Sequence, residues 1–247
     1  MLVAMAAMSV LFVMLSKAID LTSKTISANS RKLNAVGQTR LFFDRLASDL
    51  AARPSRSDLG MVFTKDVGND SFRFYSGVNG YGGARQVSSV GYRIQQTTAG
   101  RVYQLERGAE ALDWGPAASP KQLVQFLPNL LPPPLASDLA YKVLAKGILR
   151  LEVSYLLNTG LMSTSANSDF SDVMAVFVAV GVMDVSTLQS MSNTHLQQLS
   201  NSLPDCVDGK DPLSCWSSAM AQTEFAKGVP QAAIQNLRIY QRAFYVH

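Results

Sequence analysis

Two cysteines, three aspartates and two histidines are the side chains here that could do chemistry. Cys206 and Cys215 stand nine apart around Val-Asp-Gly-Lys-Asp-Pro-Leu-Ser. A zinc site needs about four ligands in paired spacing. With no third cysteine, and histidine only at His195 and His247, the chain does not supply one. Two cysteines flanking a Gly/Pro loop suit a disulfide, which for a loop of this size contributes on the order of 2–3 kcal/mol. That expectation requires an exported head, because in the cytosol both side chains stay thiols. Asp205, Asp208 and Asp211 share the loop and could offer oxygens to calcium. They lack EF-hand spacing, and acidic residues are common in turns. No other cofactor or metal is expected. Neither histidine has a Ser/Asp or Cys partner in a recognisable pattern, and no Gly-x-Ser-x-Gly elbow occurs. His195 reads as a surface residue. Gly77-Val-Asn-Gly-Tyr-Gly-Gly83 is not a phosphate cradle, since it lacks a Gly-Lys-Ser/Thr ending and a following helix. The expectation is a protein without catalytic residues.

The element that carries the rest is the stretch from Met1 to about Ala52, which reads as one helix. At ~1.5 Å per residue it would run roughly 75–80 Å, against ~11–12 residues for an average globular helix. Residues 1–16 contain no charge, Gly or Pro. They read as membrane-embedded, although a full span needs about 20 apolar residues. Leu2, Val3, Met5, Met8, Val10, Leu11, Phe12, Val13 and Leu15 are the membrane and assembly residues. From residue 17 to 53 the pattern turns amphipathic. Ile19, Ile26, Leu33, Val36, Phe43, Leu46 and Leu50 recur at helical spacing, while Arg31, Lys32, Arg40, Asp44, Arg45 and Asp49 are spread over the other faces. A coiled-coil dimer is the structural alternative. Pro54 ends the helix.

Met1-Leu-Val-Ala-Met-Ala-Ala-Met-Ser-Val-Leu11 resembles the interior of the N-terminal helix of type IV pilins and type II secretion pseudopilins. Thr22-Ser-Lys-Thr25 and Gln38-Thr-Arg-Leu-Phe-Phe-Asp-Arg-Leu-Ala-Ser-Asp-Leu50 are similar to the J-type minor pseudopilin. Val90-Gly-Tyr-Arg-Ile94, Val143-Leu-Ala-Lys-Gly-Ile-Leu-Arg-Leu-Glu-Val153 and Leu237-Arg-Ile-Tyr-Gln-Arg242 extend the resemblance to the pilin-like Verru_Chthon cassette protein C group. Aligned on the helix, Met1 corresponds to the sixth residue of a mature pilin. The family's leader, cleavage-site glycine and helix glutamate would then fall before it, and the sequence is expected to start inside the helix. The resemblance implies a pilin-like α+β fold, with the helix packed on an antiparallel β-sheet head. It further implies a single pass through the bacterial inner membrane, a periplasmic head, and other pilin-like subunits as partners. Lys17, Lys24, Arg31 and Lys32 follow the apolar run and would by themselves favour a cytoplasmic head; a basic leader would offset them.

Residues 54–247 read as a β-rich head, with a subdivision near 115–140. Strands are expected over 59–64, 72–76, 86–96, 101–107, 148–157, 173–182 and 237–246. In 148–157, Leu149, Leu151, Val153 and Tyr155 alternate with Arg150, Glu152 and Ser154, as in a half-buried strand. The β-branched run 173–182 suits a central strand covered on both faces, with the long helix across one face of its sheet. Helices are expected over 120–127, 184–203 and 216–227. Trp114 and the spacer Leu131-Pro-Pro-Pro-Leu135 read as packed. The net charge is +4, and residues 17–58 hold eight Lys/Arg against four Asp/Glu, so the basicity lies in the helix arm. A neutral head argues against nucleic acid as a partner.

Overall fold

The computed structural model describes residues 2–54, 59–65, 68–81, 87–96, 103–112, 135, 140–165 and 171–246, apart from the side chains of 2–7, 9, 10 and 28. The architecture is α+β. A single helix, α1, runs over Leu2–Ala51. Five antiparallel strands follow as one sheet in the order β1-β2-β3-β4-β5: Val62–Thr64, Ser71–Ser76, Ser88–Gln96, Tyr103–Ala111 and Tyr141–Lys146. A second antiparallel sheet has the order β7-β6-β8-β9, with β6 Ile148–Leu157, β7 Met162–Ser163, β8 Val173–Val182 and β9 Arg238–Tyr245. Four short helices lie between β8 and β9: α2 Val185–Ser190, α3 Asn193–Asn201, α4 Pro212–Met220 and α5 Gln231–Asn236.

Expected and observed strands agree closely at β6 and β8. The strands β5 and β7 and the helix α5 were not anticipated, and α4 begins at Pro212 rather than Trp216. Short elements give too few periods to show against their neighbours. The helix expected over 120–127, Trp114, the prolines 132–134 and most of 115–140 lie outside the described residues.

The chain passes from the first sheet to the second at Gly147, which has φ +85; a Cβ there would sit 2.3 Å from the Met183 carbonyl oxygen. The two sheets share one core. Phe72, Phe74, Tyr92 and Leu105 from the first meet Leu151, Val153, Val176 and Val178 from the second. Phe72 stacks on Tyr92 at 5.2 Å. On its other side the second sheet is covered by α2–α5 through Leu188, Leu196, Leu199 and Trp216, which pack with Leu149 and Ala179. This is why β8 can be apolar on both faces. It is the central strand with β9, as a sheet edge, beside it.

The C-terminal third of α1 belongs to the same core. Phe42, Phe43 and Leu46 are buried among both sheets. The expected apolar stripe docks only from Phe43 onward; Ile19, Ile26, Leu33 and Val36 are exposed. The helix packs on the second sheet, as expected, with the Phe43 ring 6.2 Å from Phe244, and polar ties bind it to both sheets. Gln38 Oε1 accepts from the Lys146 N–H at 3.2 Å, and Arg242 Nη1 donates to Asp44 Oδ1 at 3.0 Å.

The strongest tie is Asp49, which the periodicity had placed on a solvated face. It is fully buried. Arg107 grips its carboxylate with Nε to Oδ2 at 2.6 Å and Nη2 to Oδ1 at 3.0 Å. The Tyr92 hydroxyl donates to Oδ2 at 2.6 Å, and Arg45 approaches Oδ1 at 3.2 Å. Burial works to lower the Arg107 guanidinium, but Asp49 outweighs it and holds the group above its ordinary range. The helix end is fastened by backbone as well: Ser76 Oγ donates to the Asp49 carbonyl at 2.8 Å, and the Gly77 N–H to the Ala52 carbonyl at 2.6 Å. Removing one member of such a pair strands the other charge in the core, at a cost of about 3–5 kcal/mol. We expect Asp49→Ala to lower the unfolding free energy of the full chain by that amount, measured by urea denaturation as a lower midpoint at unchanged slope. The double variant Asp49→Asn with Arg107→Met should recover much of the loss.

Candidate functional site: the projecting helix and the loop of candidate ligands

Every described side chain of α1 before Ala35 is exposed, and the head begins to cover the helix only at Ala35, Gln38 and Thr39. The preceding part therefore projects roughly 50 Å at ~1.5 Å per residue. Of the expected membrane and assembly residues, Met8, Leu11, Phe12, Val13 and Leu15 are all more than half exposed. Leu2, Val3, Met5 and Val10 lie on the same helix, with side chains outside the described set. Among the described residues, no helix is long and apolar enough to cross a membrane. Several polar residues here are satisfied within the helix. Lys24 bridges to Asp20 at 2.7 Å, and the Thr22 and Thr25 hydroxyls donate to the carbonyls four residues back at 2.8 and 2.9 Å. Large apolar side chains left in water over several turns mark a surface for another partner.

The three loop aspartates each have a separate partner. Among the described residues no three acidic, histidine or cysteine side chains are grouped to hold a metal. Asp205 is paired with Arg150. Asp208 accepts from the Thr164 N–H at 2.6 Å and from the Ser163 and Thr164 hydroxyls at 3.1 and 2.9 Å, which holds its carboxyl below the usual range. Asp211 caps α4, accepting from the Ser214 N–H at 3.2 Å. Each carboxylate is turned to a different donor.

Cys206 and Cys215 are free thiols, the first buried and the second partly exposed. They are in hydrogen-bonding contact, and burial first, then Cys215, pushes the Cys206 thiol far up. His195 is half-buried on α3, its backbone N–H donating to Ser192 Oγ at 3.2 Å. His247 lies outside the described residues, as do Gly82, Gly83 and residues 166–170. Within the glycine loop Tyr81 forms a bridge to Glu110.

A second buried charge cluster was not visible in the sequence. Arg150, Glu152 and Ser154, expected to face water, are all buried on β6. Lys65 Nζ donates to Asp70 Oδ2 and to Glu152 Oε1, each at 2.8 Å. The Cys206 N–H donates to Glu152 Oε1 at 3.1 Å. The turn before β2 also caps the edge of β6: Asn69 Oδ1 and Asp70 Oδ2 accept from the N–H groups of Leu151 and Val153 at 3.0 and 2.7 Å. Alternating charge and apolar residues write the same pattern whether the charged face meets water or a counter-charge, so no local signal could separate the two.

Burial, then the Glu152 charge, pushes the Asp70 carboxyl up to about 7, against the pull of Lys65 and the Val153 N–H. For Lys65 burial acts downward, but Asp70 and Glu152 outweigh it and the ammonium sits above its usual range. The folded state thus holds the Asp70 proton more tightly than the unfolded chain. Its contribution to stability is greatest below about pH 4 and declines as pH rises toward about 7. The Lys65 contribution persists until alkaline pH. We expect the wild-type urea midpoint to fall between pH 4 and 7 relative to that of Asp70→Asn, in which this dependence is absent.

No family model matches this chain, and no curated protein does. Among solved structures the chain is similar to a type IV-like pilin from Thermus thermophilus, at 14% identity and a TM-score of 0.38, over 85% of this chain and 93% of that one.

Proposed function

We propose that this chain is a pilin-like structural subunit that works through its N-terminal helix. The observation that carries the reading is the division of α1. Its last turns are built into the head core by Phe42, Phe43, Leu46 and Asp49, while its first two-thirds project with their apolar side chains unpartnered by the head. Such a helix transmits position from an apolar environment to a folded head and needs no catalytic group. In this reading residues 1–16 sit in the bacterial inner membrane, the head lies in the periplasm, and the apolar helix transfers from lipid to the helices of other pilin-like subunits. The resemblance of residues 22–50 to the J-type minor pseudopilin supports a place at the tip or start of a type II secretion or type IV pilus-like assembly. Hydrophobic burial drives both states, at about 25 cal/mol per Å² removed from water.

Phe12→Asp tests the reading. It should release the protein from membranes and abolish helix-to-helix cross-links with other subunits, while the head keeps its circular dichroism and its urea midpoint. A variant that still pellets with membranes overturns the proposal. Cross-linking of wild-type protein that finds lone protomers would instead favour an anchored binding module, presenting the loops 77–83, 163–171 and 206–215. Export adds a second expectation. In an oxidising compartment Cys206 and Cys215, already in contact, close to a disulfide, and the mass of the isolated native protein rises by about 2 Da on reduction.

A further inference from the structure

The exposed part of α1 carries a seven-residue repeat that the head does not use. Phe12, Ile19, Ile26 and Leu33 recur at intervals of seven, and Met8, Leu15, Thr22, Asn29 and Val36 recur three residues after each or four before the next. Together they form the alternating three- and four-residue seam of a left-handed coiled coil. In the structure this seam is open: Ile19 is 59%, Ile26 63% and Leu33 71% exposed. At about 100° per residue, its centre lies roughly 140° round the helix from the mean direction of Thr39, Phe42 and Leu46. The head takes up the repeat only at its next position, Phe43, and leaves it exposed from Phe12 to Val36.

We propose that this seam, from Phe12 to Val36, packs against the same seam of a second copy of the chain as a parallel two-stranded coiled coil. Charge is placed for an identical partner. Lys17, Lys24 and Arg31 also recur every seven residues, on the side opposite the seam. The positions flanking it on one side are Ser16, Ser23, Ser30 and Gly37, and on the other Ala18, Thr25 and Lys32. Two identical helices thus approach through a mostly apolar seam with flanks that are neutral apart from Lys32, whose parallel-register neighbour across the seam is Gly37. The polar layer at Asn29 fixes the register, because it is satisfied when it meets its own counterpart, whereas a slip of one heptad sets it against Val36. Ile19 and Ile26, β-branched in the first seam position, favour two strands over three or four. The shared direction of the helices rests on the pilin-like reading, which puts both N-terminal ends in one membrane.

The test is oxidative cross-linking of the full chain in detergent micelles, with wild-type protein as control for Cys206 and Cys215. Ile19→Cys and Leu33→Cys should each give a disulfide dimer of twice 26.8 kDa; Lys24→Cys, on the opposite side, should not. Ile26→Asp added to Ile19→Cys should abolish the dimer. Equal cross-linking at Lys24→Cys, no product at Ile19→Cys and Leu33→Cys, or a product with a different subunit each overturns the proposal. So does a product only when Ile19→Cys and Leu33→Cys are mixed, which reports antiparallel helices. If Phe12→Asp releases the protein from membranes while no seam cross-link forms, the pilin-like reading stands and the seam fails. A seam dimer whose Phe12→Asp variant stays on membranes separates them the other way.

Discussion

Asp49 is the constraint on which the rest of this structure depends. A carboxylate without exposure, three turns of helix from the last exposed stretch, tolerates burial only because Arg107 offers a two-pronged grip and Tyr92 a third donor. That requirement sets the rotation of α1. Phe42, Phe43 and Leu46 are turned into the core by the same rotation, and the helix upstream is aimed away from the head as a rigid continuation. A longer apolar contact could hold the helix as tightly, but it would permit sliding by a turn. A buried bidentate pair does not, since any slip leaves two charges unmatched in a medium of low dielectric.

The second cluster plays the corresponding part between the sheets. Lys65 and Asp70, beside the first sheet, close over Arg150 and Glu152 of β6, and Asn69 and Asp70 satisfy the N–H groups along its unpaired edge. An open strand edge invites pairing with another chain. Here it is sealed by side chains rather than by a further strand. That stretch of edge is thereby closed, while the apolar side chains of the projecting helix stay exposed. The helices α2–α5 complete this by covering the far face of the second sheet.

Much was legible. The span of α1 follows from fifty residues without an effective breaker before Pro54, and Gly37, exposed with open space around it, costs only about 1 kcal/mol. The strands β6 and β8 were readable because ten residues give five periods of alternation or an unbroken β-branched run. Cys206 and Cys215, expected as a disulfide, are free thiols in the structure. Asp205, Asp208 and Asp211 share one loop in the sequence. Proximity in sequence says nothing about direction, and in the structure one turns to Arg150, one to the Ser163–Thr164 loop and one to the start of α4.

Composition and periodicity by themselves determined that this is a long helix carrying an antiparallel β-rich head. Those features depend on near neighbours, at intervals of two, three, four or seven residues, which a single chain displays. Which face of the helix docks, where Asp49 and Glu152 find their counter-charges, and which apolar stripe remains exposed were decided only by the tertiary structure. Arg107 is fifty-eight residues from Asp49, and Lys65 eighty-seven from Glu152. A buried charge looks the same in sequence as a solvated one until its distant partner is in place.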